Sequence, residues 1–194
     1  KITEANKRGR VMEIKPLLEQ AADLTRKESG ENSLAYAAIL NDLASHCRET
    51  GEYDQAESSY LIAADILEKK QGKNDPNYAT TINNLAGLYR LRKEFAKSKS
   101  LFLEALDIYE ATLGHDHFLY ASGLNNLGLL FQDLGSFEKA AELPLKAPHI
   151  IRKLNNPLAF ATTLNNLAGP YRHLGKNKEA TSLLQEAMEA YEKV

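Results

Sequence analysis

Three adjacent residues near the middle of the chain are the first candidates for chemistry. His115, Asp116 and His117 offer imidazole and carboxylate groups, which are good ligands for divalent metals. A tight metal site needs three or four converging ligands, however, and these residues follow Gly114 in a short polar stretch typical of a turn. We therefore interpret them as a turn and predict no metal.

The remaining reactive side chains do not form a catalytic pattern. His46, His149 and His173 have no nucleophile or acid at a fixed local spacing. The sequence also lacks a Walker, dinucleotide-binding or Gly-x-Ser-x-Gly signature. We predict that the chain is not an enzyme and needs no cofactor.

Composition narrows the function further. The 194 residues include 24 Lys and Arg against 26 Asp and Glu, a formal net charge of −2. Charges of both signs are interspersed, without the strongly basic surface typical of nucleic-acid binding. The single cysteine, Cys47, cannot form an internal disulfide, and no apolar run approaches the roughly 20 residues that span a bilayer. These features predict a cytoplasmic protein that binds neither nucleic acid nor membrane.

A repeated segment is the main feature of the sequence. The string Leu40–Ala44 returns as Ile82–Ala86, Leu124–Gly128 and Leu164–Ala168, so that its first asparagine recurs after 42, 42 and 40 residues. A second landmark, which begins with Gly51 in the first copy, keeps the same offset of ten residues from that asparagine in all four. Two landmarks in register four times indicate a repeat architecture.

Each repeat reads as a pair of helices. Leu40, Leu43, Ala44 and Cys47 follow the i, i+3, i+4, i+7 spacing of a helix. The Gly51 landmark ends that helix in a short turn, and a second helix follows. Cys47 takes the position of Tyr89, Phe131 and Tyr171 in the other repeats, which predicts core packing rather than reactivity.

These landmarks resemble the tetratricopeptide repeat, whose ordinary period is 34 residues. The 42-residue period, the Asn-Asn-Leu-Ala string and the turn at Leu113–His117 resemble the kinesin light chain subtype. The resemblance implies an all-α fold, a right-handed α-solenoid of tetratricopeptide helix-turn-helix repeats. We expect a single array over 1–194, with a half-repeat helix at 1–30 and repeats at 31–74, 75–116, 117–156 and 157–194. Because the pattern is still running at Val194, we expect a piece of a longer protein.

The resemblance also implies that the first helix of each repeat lines a concave groove. Successive residues of a helix are rotated by about 100°, so the second residue of each Asn-Asn string faces away from the paired helix. The first asparagine lies on a flank about 90° from that face, together with a long polar side chain. The predicted peptide-binding residues are Asn84, Asn126 and Asn166, with Asn83, Asn125 and Asn165, and with Arg48, Arg90, Gln132, Arg172 and His173.

Two interpretations of these residues stay open. Asparagine amides can pair with the backbone of an extended peptide, and arginines favour an acidic partner. The first asparagine of each pair is equally suited to a hydrogen bond between neighbouring helices that holds the stack in register. A chaperone-tail clamp is not expected, because Gly87, Leu129 and Gly169 occupy its companion positions.

Three prolines conflict with the helical pattern. Pro144, Pro148 and Pro170 fall at interior helix positions, where each removes a hydrogen bond and costs about 3 kcal/mol. We predict that Pro144 and Pro148 kink the second helix of the third repeat.

The sequence favours a scaffold that binds a peptide or partner protein in the groove, with the arginines favouring an acidic one. The alternatives are a self-assembling structural module, with chains stacked end to end through uncapped repeats, and a regulatory domain of a larger signalling protein.

Overall fold

A computed structural model describes residues 2–153 and 156–192, with side chains for all of these except 2–13, 146 and 153. The helices are α1 (Ile2–Ser29), α2 (Leu34–Thr50), α3 (Tyr53–Gln71), α4 (Pro76–Leu91), α5 (Phe95–Leu113), α6 (Phe118–Asp133), α7 (Phe137–Glu142), α8 (Ala147–Lys153), α9 (Pro157–His173) and α10 (Asn177–Tyr191). A 3-10 segment, Leu143–Lys146, joins α7 to α8. The described residues contain no strand.

The helices follow one another in pairs along the chain. Helices α2 and α3 lie in repeat 31–74, α4 and α5 in 75–116, α6 to α8 in 117–156, and α9 and α10 in 157–194. The chain divides into two compact units, residues 1–88 and 89–194. In the half-repeat, α1 runs through Gly9, the residue that matches the turn glycine Gly51. The side chain of Val11, which matches Tyr53 at the same shift of 42 residues, lies outside the described residues.

One turn geometry is repeated inside every helix pair. The N–H of Glu52 donates to the carbonyl of Cys47 (2.8 Å), and the same bond recurs from Glu94, Ser136 and Lys176. It requires left-handed geometry at the preceding residue, which Gly51 adopts with φ 85°. Lys93 takes this conformation with φ 61° where the second repeat lacks the glycine.

Each unit has its own core of small and aromatic side chains. In the first unit, Ala44 and Ala56 are fully buried and let α2 and α3 approach closely, while Tyr60 fills the space beside them. In the second unit, Phe102 and Ala105 of α5 are buried in the same way. Cys47 is also fully buried, which confirms that its position belongs to the core.

The predicted kink in the third repeat is confirmed. Its second helix stops at Glu142, continues as the 3-10 segment and resumes at Ala147. Pro144 and Pro148 thereby become the second residues of new helical segments, where a missing N–H leaves no hydrogen bond unmade. Pro170 lies in the last turns of α9, and the helix continues past it to His173.

Candidate functional site

The first helices α2, α4, α6 and α9 carry the predicted site residues. On α2, Leu40, Leu43 and Ala44 are buried whereas Asp42 and Glu49 are exposed, as the helical arithmetic predicts. Ser45 is an exception to that arithmetic. At about 100° per residue it falls roughly opposite the paired helix, but its hydroxyl hydrogen-bonds with the hydroxyl of Tyr60 on α3 (2.9 Å).

The four flank asparagines have different surroundings. Asn83 is buried, and Asn41 and Asn125 are partly buried. The Oδ1 atom of Asn41 is shielded from solvent and accepts no hydrogen bond from any described residue. Asn165 is exposed, since no later first helix packs beside α9 among the described residues. Equivalence in the repeat therefore does not give these amides one common role.

In the second unit, the exposed parts of α6 and α9 enclose a pocket of about 350 Å³, which we call the α6–α9 pocket. Its lining combines Phe118, Ser122, Asn125, Asn126, Leu129, Ile151, Ala159, Thr162, Thr163 and Asn166. The Nδ2 of Asn166 donates to the Oδ1 of Asn125 at 3.4 Å, so that an amide pair connects the two helices. Three predicted site residues thus come together here.

The first unit has a pocket at the equivalent place, between α2 and α4, which we call the α2–α4 pocket. Its volume is about 290 Å³, and it is lined by Leu34, Ala37, Ala38, Asn41, Asp42, Leu67, Gln71, Asn77, Thr80 and Thr81. Most of these residues match the lining of the α6–α9 pocket position by position along the repeat. The repeat therefore generates the same kind of pocket twice.

Two threonines line each pocket, and our sequence prediction did not include them. Thr80 and Thr81 on α4 correspond to Thr162 and Thr163 on α9, and each hydroxyl donates to the carbonyl four residues earlier, at 2.8–3.0 Å. Their signal was present in the sequence, because an Ala-Thr-Thr string precedes the asparagine pair in both repeats.

The long flank side chains connect neighbouring first helices. The Nη1 of Arg48 donates to the backbone carbonyl of Asn84 (3.4 Å) and lies 3.2 Å from where Gly87 would carry a Cβ. Gln132 lies against Gly169 in the same manner, with its Nε2 at 3.1 Å from the corresponding point. Glycine at these positions leaves room for the crossing side chain.

The cationic residues predicted to bind the peptide differ in whether they already contact other side chains. Arg90 forms an ion pair with Asp133 (2.7 Å) instead of crossing over a glycine. Arg172 is exposed. The His173 ring is stacked on Phe137, with a centroid distance of 4.0 Å and an interplanar angle of 5°. A preference for acidic partners would therefore rest on Arg172, since Arg48 and Arg90 already have acceptors.

Other reactive side chains have structural surroundings. The Nδ1 of His117 accepts from the N–H of Leu119 (3.2 Å) and so caps α6, and His115 lies 3.3 Å from a carboxylate oxygen of Glu110. No group of three or more potential metal ligands occurs in the described part of the chain. Burial raises the pKa of the Cys47 thiol, which disfavours the reactive thiolate. Among the described helices, none is long and apolar enough to cross a membrane.

Comparisons with known proteins agree with this architecture. Models of the tetratricopeptide repeat match residues 5–69, 38–98, 77–146 and 160–194. No curated protein matches the sequence.

Several solved structures share the fold. BtubC (BKLC) from P. vanneervenii is 23% identical with a TM-score of 0.79, over 97% of this chain and 76% of that one. A putative kinesin light chain with TPR-like repeats from Podosopora anserina is 22% identical with a TM-score of 0.71, over 98% and 92%. MamA is 17% identical with a TM-score of 0.58, over 91% and 87%. The chain belongs to the tetratricopeptide repeat family and has the all-α solenoid fold of kinesin light chain-like repeats.

Proposed function

We propose that this chain binds an extended segment of a partner protein on the exposed face of its first helices. Tetratricopeptide repeats are generally non-catalytic scaffolds for protein interactions. The observation that carries the proposal is the pair of equivalent pockets, each lying between consecutive first helices, completed by a second helix, and lined by amide, hydroxyl and apolar groups.

The chemistry of the pockets fits a peptide backbone. An asparagine amide offers both a donor and an acceptor, so it can pair with a peptide N–H and C=O without reading the sequence of the ligand. In the α6–α9 pocket, Asn126 and Asn166 lie beside the apolar side chains of Phe118 and Leu129, which can cover an apolar side chain of the ligand. We assign peptide contact to Asn126 and Asn166, and also to Asn84, which occupies on α4 the repeat position of Asn166 but lies outside the lining of the α2–α4 pocket.

The flank asparagines have the second role that the sequence left open. Asn83 is only 7% exposed, and Asn125 pairs with Asn166 across two helices. Buried or paired amides of this kind stabilise the contact between helices. We therefore assign Asn83 and Asn125 chiefly to holding the repeats together, with Asn125 also at the wall of the pocket.

The test is capture of partners from lysate by the wild type and by an Asn84→Ala/Asn126→Ala/Asn166→Ala variant. A matched control, Asn32→Ala/Asn74→Ala/Asn177→Ala, removes three exposed asparagines outside both pockets. Circular dichroism checks that each variant folds. We expect the Asn84/Asn126/Asn166 variant to lose a partner that the control retains. Retention of every partner by the folded triple variant would show that recognition occurs elsewhere.

A second candidate function, self-association, is favoured by the outward face of α10. Met188 and Tyr191 are 63% and 46% exposed, whereas Leu106 and Tyr109 at the same repeat positions of α5 are 6% and 1% exposed. Burial of this face against another copy would be favourable. Sedimentation velocity over a range of concentrations tests this self-association. A mass that rises with concentration in the wild type but not in the Met188→Glu/Tyr191→Glu variant supports self-association. A constant monomer mass in the wild type contradicts it.

A further inference from the structure

The two equivalent pockets differ in charge. Among the described residues that line the α2–α4 pocket, Asp42 is the only charged one. Its carboxylate is exposed and forms no ion pair with another described residue. The α6–α9 pocket has the neutral Asn126 at the corresponding position and no charged residue in its described lining. A ligand with a formal charge would therefore distinguish the two pockets.

The pockets also differ in whether the asparagine at their common repeat position accepts a hydrogen bond. In the α6–α9 pocket, the Oδ1 of Asn125 accepts from Asn166. In the α2–α4 pocket, the Oδ1 of Asn41 is buried without a donor among the described residues. The oxygen of Asn41 therefore lacks the amide pair that connects the two helices at the α6–α9 pocket.

The remaining lining suits a long side chain with an apolar stem. Leu34, Ala37, Ala38 and Leu67 form an apolar wall. The hydroxyl of Thr80 gives its hydrogen to the carbonyl of Pro76 (2.8 Å), so it offers the pocket no donor. At about 30 Å³ per water molecule, the volume corresponds to roughly ten waters, which is enough for one long side chain.

From these features we propose that the α2–α4 pocket binds a lysine or arginine side chain of the partner. The methylene stem packs on the apolar wall, and the charged head pairs with the exposed carboxylate of Asp42. The α6–α9 pocket, whose described lining is uncharged, takes a neutral ligand segment. This inference rests on the proposed function, to which it adds a basic anchor residue in the partner.

The test uses short defined peptides and the full chain. The probes are acetyl-Gly-Gly-Arg-Gly-Gly-amide and the same peptide with citrulline, which has the shape of arginine without its charge. Amide chemical-shift changes in two-dimensional NMR spectra report on Asn41, Asp42 and Thr81 in one pocket and on Asn126 and Thr163 in the other. We expect the arginine peptide to bind the α2–α4 pocket about fivefold more tightly than the citrulline peptide, with less difference at high salt.

Two reciprocal variants provide the control. Asp42→Asn gives the first pocket the side chain of the second, and should abolish the preference for arginine. Asn126→Asp makes the opposite change, and should create such a preference in the α6–α9 pocket. Both substitutions are nearly isosteric, and circular dichroism checks folding.

The outcomes separate this inference from the proposed function. If both peptides shift the resonances of the two pockets equally, and Asp42→Asn changes nothing, the pockets bind peptides but the basic anchor is wrong. If neither peptide shifts either pocket at millimolar concentration, both proposals are overturned. An arginine preference that survives Asp42→Asn also overturns the inference, because the charge would then lie elsewhere.

Discussion

Replacing Pro144 and Pro148 together by leucine should raise the melting temperature of this protein. The second helix of the third repeat is now divided into α7, a 3-10 segment and α8, with one of these prolines at the second position of each new segment. A single replacement leaves the other proline in place and the helix interrupted. Only the double variant can form a continuous helix, so we expect the two effects to be more than additive.

The magnitude follows from three contributions. Two restored N–H donors contribute about 1 kcal/mol each. Position 144 is equivalent to Phe102 of α5, and the Pro144 ring already lies against Gly128. A leucine there would bury more apolar surface, which contributes about 0.8 kcal/mol. The greater freedom of the unfolded chain opposes these gains by about 0.4–1 kcal/mol per proline removed. The net stabilisation is about 1–2 kcal/mol, or roughly 4 °C for a chain of this length.

Thermal denaturation followed by far-UV circular dichroism measures the effect in the wild type, both single variants and the double variant. Pro157→Leu is the matched control, because Pro157 is the first residue of α9, where a proline interrupts no hydrogen bond. Its melting temperature should not rise. An unchanged or lower melting temperature of the double variant would refute the reasoning and show that the bend is built into the fold.

Three further results are expected. Tyr60→Phe removes the hydrogen bond to Ser45 and should lower the free energy of unfolding by about 1 kcal/mol in urea denaturation; no change would mean that solvent replaces this bond. A double-mutant cycle with Arg90→Met and Asp133→Asn should give a coupling below about 1 kcal/mol, because both partners are partly exposed; a much larger value would mean that the pair is effectively desolvated. Cys47, buried and with a raised pKa, should react with iodoacetamide only after denaturation, and rapid alkylation of the folded protein would contradict its place in the core.

Much of the fold could be predicted from the sequence because the forces that set it are local or periodic. The recurrence of the asparagine pair gives the repeat length, and the i, i+3, i+4, i+7 spacing gives the buried face of each first helix. The turn at Gly51 follows from its left-handed conformation. Even the interruption at Pro144 was predictable, since proline cannot donate the bond that a continuous helix needs.

The candidate site was predictable only in part. The sequence placed Asn126 and Asn166 on the face opposite the paired helix and Asn125 on its flank, and all three line one pocket. It did not identify Thr80 and Thr162, although their repeated string was visible, because threonine within a helix is as consistent with a plain surface as with a binding site.

Tertiary structure alone decided how equivalent residues differ. Asn41 and Asn125 occupy the same repeat position, yet one has a buried oxygen without a donor and the other accepts from Asn166. Arg48 crosses over a glycine, whereas Arg90 has an acidic partner within reach. The repeat specifies which side chains point toward the neighbouring helix. The contacts that they make there depend on which groups the neighbouring helix places within reach, and no local spacing encodes this.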